Sequence, residues 1–282
     1  MTASNHFKFL GHAEILSSKA VELGKEHPIV MHAMLALSAC HLQGLGCRTQ
    51  PYRMTETFHC QHAIRGLQKA VVSFNGVEEA DSVLTTSMLL NSLVSSSEEY
   101  LSYSQDTGEL QWGWLRFQIG ITDLLMRTKP FHPQSIWLPM FLSSKQPLVI
   151  GDPCNELDRQ LADFCAIEEN STAEDNPYFD FWKQLGPLVV RIPGPQYLRW
   201  YVEAVGGIDI RFINLLEEED LPALMLFAHW VAMMCCLETW TITRRLSKIC
   251  LKICEILRPR LKMSDLYLLH NPAKTVGFAL HA

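Results

Sequence analysis

The chain has 282 residues, of which 48% are hydrophobic and 19% charged, and its formal net charge is −6. A chain of this length buries roughly three quarters of its unfolded surface, and full apolar content with modest charge excludes intrinsic disorder. The negative balance argues against phosphate neutralisation, so direct DNA binding by this chain is not expected.

The period of the apolar residues is helical almost throughout. A first helix is expected over 6–24, with Phe9, Ala13, Leu16, Ala20 and Leu23 on one face. Pro28 then occupies a first-turn position, where its missing N–H costs nothing. The second helix runs to about Leu45 and ends at Gly44 and Gly46. A third covers 57–74 and stops at the turn dipeptide Asn75-Gly76. A fourth starts near Glu78 and passes through Leu84, Met88, Leu89 and Leu93. Asp106, Thr107 and Gly108 break the pattern before a helix over 110–126. From about 129 to 153, Pro130, Pro133, Pro139 and Pro147 exclude a long helix and predict an ordered crossing loop. The best strand signal, 146–150, lies there and is weakened by Pro147. Further helices are expected over 155–167, 177–186, 196–205, 209–216, 221–241 and 244–257. The fold class is therefore all-α, a single multi-helix bundle of residues 1–282 around an apolar core or pocket.

Three segments, 32–42, 114–125 and 224–240, are apolar around most of their circumference, which a helix needs only when neighbours surround it. The last is interrupted by His229 and ends at Glu238, too short for a membrane span. The N-terminus lacks the apolar region of a signal peptide. Nine cysteines are present, six of them (Cys40, Cys165, Cys235, Cys236, Cys250 and Cys254) within apolar helical stretches. They read as reduced thiols of a nuclear or cytoplasmic protein. No Cys/His spacing fits zinc, so neither a metal nor a cofactor is expected.

Several stretches occur in the order of a known family. They are His27-Pro28 leading into His32-Ala-Met-Leu-Ala-Leu-Ser-Ala-Cys-His-Leu42, then His62-Ala-Ile-Arg-Gly-Leu-Gln-Lys-Ala70, then Ser82-Val-Leu-Thr-Thr-Ser-Met-Leu-Leu90. Trp114-Leu-Arg-Phe-Gln-Ile-Gly120 and the Leu224 to Trp240 helix follow. Together they resemble the C-terminal ligand-sensing domain of fungal binuclear-zinc-cluster transcription factors of the sterol uptake control type. The resemblance implies an all-helical domain for transcription regulation that binds a sterol-like or other apolar small molecule and is able to form a homodimer. The family's six-cysteine DNA-binding module is not in this chain, so DNA reading by that route is not expected of it.

For the ligand, aromatic and methionine side chains supply adaptable apolar walls. Phe227, Trp230, Met233 and Met234 of the late helix, with His229 as a polar group and Trp114 from the earlier one, are the candidate ligand-binding residues. The alternative is a free-standing enzyme of secondary metabolism, in which His229 helps steer an isomerisation or cyclisation within an apolar pocket. No catalytic residue is assigned. Asn91, Ser95 and Glu99 match the spacing of a terpene-cyclase magnesium site but lack its aspartate-rich partner and read as a polar helix face. His32 and His41 leave their helix on opposite sides and cannot chelate one metal. The acidic run 217–220 suits the N-terminal end of the following helix. Arg244, Arg245, Lys248 and Lys252 read as one solvated face.

Overall fold

The computed structural model describes residues 15–46, 50–96, 110–143, 156–237 and 243–280. Among them are thirteen α-helices and no strand, as expected. The chain divides into two compact units, residues 1–100 with 120–147, and 101–119 with 148–282.

In the first unit a π-helical turn, Ile15–Lys19, leads into α1 (Ala20–Glu26), α2 (Pro28–Gly44), α3 (Gln50–Ala70) and α4 (Val77–Ser96). His27 is extended, the conformation favoured before proline, and Pro28 takes the first helical position of α2. Gly46 ends the helix region with φ +94°, a conformation a side chain would strain. α3 begins about two turns earlier than its pattern suggests. After the turn at Gly76, the Glu79 carboxylate reaches back to the Asn75 N–H (2.8 Å), which secures the start of α4.

α2 packs on α3 and α4. The α2–α3 approach is close: a methyl on Gly66 would lie 2.3 Å from Ile29 Cγ2. Gly66→Ala should therefore destabilise the unit by about 1–3 kcal/mol, read as a lowered thermal midpoint; an unchanged midpoint would show that the helices yield freely.

α4 is the inner helix of this unit. Every residue from Ala80 to Ser87 is buried, including Asp81, Ser82, Thr85, Thr86 and Ser87. α5 (Gly113–Thr128) is followed by a 3₁₀ segment, Lys129–Gln134, and α6 (Leu138–Ser143). The first part of the Pro-rich stretch is thus short helical turns, and 144–153, with the weak strand signal at 146–150, lies outside the described residues. The expectation that 114–125 is surrounded fails. Trp114, Leu115 and Leu124 are buried while Arg116, Gly120, Asp123 and Met126 face water, so α5 is amphipathic.

The second unit contains α7 (Glu156–Phe164), α8 (Phe179–Val189), α9 (Leu198–Gly206), α10 (Ile210–Glu217), α11 (Leu221–Cys235) and α12 (Thr243–Leu257). A 3₁₀ segment, Leu266–Leu269, and α13 (His270–Thr275) follow. α11 is buried without interruption from Ala223 to Cys235, and α8, α9, α10, α12, α13 and the 3₁₀ segment all pack on it. Its start follows from the sequence. The Asp220 carboxylate accepts the Ala223 N–H (3.0 Å) and Pro222 fills the first turn.

The acidic run divides its labour. Asp220 caps α11, Glu217 pairs with Arg116 at 2.8 Å, and Glu219, with φ +54°, reverses the chain and pairs with Arg260 at 3.2 Å. The described cysteines are thiols, buried at Cys40, Cys60, Cys165, Cys235, Cys250 and Cys254. Cys236, expected to be interior, is exposed. Burial pushes the Cys235 thiol up to about 11, so it stays protonated and unreactive.

Candidate functional site

The residues expected to meet a ligand are brought together in part. Phe227 and Trp230 lie 5.3 Å apart along α11, and Trp114 lies 6.1 Å from Phe227 and stacks on Trp230 at 6.2 Å. Trp112 meets Phe227 edge-on at 5.2 Å, and Phe181 joins from α8 at 6.2 Å. Trp230 Nε1 donates to the Tyr201 carbonyl at 2.8 Å, which fixes the indole against α9. Edge-to-face and offset contacts of this kind add to the stabilisation from burial itself.

Arg245 does not lie on a solvated face. Its guanidinium stacks over the Trp114 ring at 5.2 Å, and burial lowers it to about 10. The side chain of Arg244 lies outside the described residues. Met233 and Met234 are buried further along α11.

His229 takes a different direction. Its Nε2 lies 2.9 Å from the Leu268 carbonyl oxygen, so that nitrogen carries the proton and donates. Burial lowers its basicity to about 4, with the Leu268 bond opposing the shift. A ring held neutral in this way anchors the 3₁₀ segment to α11 and is a weak base at neutral pH.

That segment borders a groove the sequence reading missed. Glu255, Arg258 and Pro259 at the end of α12, with Leu261, Met263, Leu266, Phe278 and Leu280, line an open, solvent-facing groove of about 930 Å³. Gly277, at φ +67°, lets the chain reverse after α13, and Phe278 N–H then bonds the Ala273 carbonyl at 2.8 Å. Arg258 Nε donates to the Leu280 carbonyl at 3.1 Å and holds the returning tail beside α12. Met263 and Tyr267 stand largely exposed nearby. An apolar floor with one cation and one carboxylate at its rim suits an oily molecule with a small polar end. The Gly277–Phe278 reversal was the signal available in the sequence, but it lies beyond the helical pattern.

The first unit holds a second feature that the sequence reading missed. The Ser135 hydroxyl donates to Asp81 Oδ1 and the Ile136 N–H donates to Oδ2 at 2.9 Å. Trp137 N–H reaches Ser135 Oγ at 3.0 Å, and Trp137 Nε1 reaches Thr85 Oγ1 at 2.9 Å. Burial raises the Asp81 carboxyl above its usual range. His132 is near, yet its Nε2 meets Thr128 Oγ1 at 3.1 Å and its ring stacks on Phe141 at 3.6 Å. Serine, histidine and aspartate are therefore neighbours without the serine-to-imidazole hydrogen bond that activates a nucleophile. They clamp the turn after α5 onto α4.

Of the cyclase-like trio, Asn91 lies on α4, while the Ser95 side chain and Glu99 fall outside the described residues. Among the described residues no group of three or more His, Cys, Asp or Glu side chains is arranged to hold a metal ion. No described helix is long and apolar enough to cross a membrane.

Residues 16–135 match the family model of the fungal specific transcription factor domain. This bears out the family resemblance of the early helices and points to a regulatory role. No curated protein and no solved structure matches the chain.

Proposed function

We propose that residues 1–282 act as one regulatory domain of fungal transcription factor type, in the nucleus or cytoplasm, that responds to an apolar metabolite of sterol-like size. The single observation carrying this reading is the groove of about 930 Å³ lined by Leu261, Met263, Leu266, Phe278 and Leu280. The family match supports the regulatory part. Binding would be driven by roughly 25 cal/mol per Å² of ligand apolar surface removed from water, with Arg258 orienting the polar end. The ligand would lie against the 3₁₀ segment that His229 ties to α11. Phe227, Trp230, Met233, Met234 and Trp114 would then form the rigid backing of the site.

Titration with a fluorescent sterol should give saturable binding. Phe278→Glu and Leu266→Glu, which put a charge where the ligand is dry, should each weaken it roughly tenfold or more. Native mass spectrometry of the purified protein should release an intact lipid. Absence of saturable binding to both sterol and fatty-acid probes would overturn the reading. Undiminished binding by the two glutamate variants would overturn the groove as its location.

A further inference from the structure

Three imidazoles meet where α2 packs on α3. His32 and His59 face one another with their Nδ1 atoms 2.7 Å apart, and the His62 ring stacks on His32 at 4.9 Å and 27°. Phe58 covers the group, 4.2 Å from His62 and 5.1 Å from His59 between ring centroids. His62 Nδ1 donates to the Phe58 carbonyl at 2.9 Å, which fixes that ring's tautomer.

Two nitrogens at 2.7 Å hold one proton between them, so one ring donates and the other offers its lone pair. One extra proton can be taken at a distal nitrogen with that bond intact. A further proton on the His32–His59 pair puts two N–H groups nose to nose and two or more cations within about 5 Å, where they repel. No described carboxylate offsets this. Among the described residues, the groups acting electrostatically on His32 are His59 and His62, and on His59 it is His62. Of the charged residues on the packed helices, Glu56 is bound by Gln43, Glu79 by the Asn75 N–H and Asp81 by Ser135 and Ile136. Glu22 pairs with Lys25. Glu26, Arg53, Arg65, Lys69 and Glu78, with the titratable His41 buried on α2, complete the set on those helices, and none of them is among the groups acting on the two imidazoles.

We propose that His32, His59 and His62 form a proton-sensitive latch that holds α2 against α3 near neutral pH and releases it as the cluster takes up more than one proton. The latch lies within the family-matched segment and does not depend on the ligand reading. Burial and mutual repulsion lower both His32 and His59 from 6.5. A depressed folded value means stability that is present above 6.5 and lost as the pH falls through the folded values.

Imidazole carbon-bound proton resonances followed by NMR from about pH 8 to 4.5 test this. His32 and His59 should titrate in linked steps, with two midpoints separated by about one pH unit or more. His59→Asn keeps an amide donor toward His32 Nδ1 and removes one charge. It should raise the His32 midpoint and flatten the fall of the thermal midpoint between about pH 7.5 and 5.5. His62→Gln, at an exposed position, should do the same in part and serves if the first variant does not fold. Independent titrations of His32 and His59 near the ordinary histidine value would overturn the latch, as would parallel stability profiles for the wild type and the folded variant.

Discussion

Acidification from pH 6.5 to 4 should cost this protein roughly 3 kcal/mol of stability through His229 alone. The imidazole is buried among the apolar side chains of α11 and donates from Nε2 to the Leu268 carbonyl, a bond the neutral ring already makes. A second proton on Nδ1 has to be accommodated in a dry interior, and burial is the main cause that lowers the group to about 4. The folded value is below the unfolded one, so unfolded chains bind more protons throughout that window. Stability falls as the pH drops through it and levels off beneath it. His229→Gln places an amide nitrogen near the Nε2 position and keeps the Leu268 bond without a titrating group. Denaturant melts at about pH 7 and 4.5 should show a clearly smaller acid loss in the variant. Equal losses would mean that the ring is hydrated and that the 3₁₀ segment is not anchored as described.

Phe227→Ala should destabilise the second unit by about 3–5 kcal/mol, the largest single-site effect expected. The ring is fully buried and touches Trp112, Trp114, Phe181 and Trp230. Its removal therefore loses transfer energy, ring contacts and packing at once. These neighbours are held by different helices, and Trp230 is tied to the Tyr201 carbonyl, so the void cannot collapse readily. Phe227→Leu, which keeps most of the volume, should cost less than half as much. Urea melts followed by tryptophan fluorescence read both. A loss below about 1 kcal/mol for the alanine variant would show that the aromatic group is not the packed centre of its unit.

Much of the helix order was legible because each helix carries its own punctuation. Pro28 and Gly46 bound α2, Gly76 precedes α4, and Asp220 with Pro222 starts α11. The uninterrupted burial of α11 was also visible, since a segment apolar on every side has no face to offer water. α5 was misjudged because its apolar residues outnumber its charged ones, although Arg116, Gly120 and Asp123 mark a wet side. On α4, Ser82 and Thr85 are polar yet buried: Ser82 bonds within its own helix and Thr85 accepts from the distant Trp137.

The candidate sites were harder to read, and for one physical reason. Asp81 finds Ser135, His32 finds His59, Arg245 finds Trp114 and His229 finds Leu268. Each hydrogen-bonded pairing among these spans 27 or more residues of chain. Periodicity and capping are properties of one continuous segment, and they determined that this chain is helical, where most helices start and stop, and that α11 is interior. Which polar side chain meets which, and where the returning tail opens a groove beside α12, depends on helices meeting in space. Tertiary packing alone decided that.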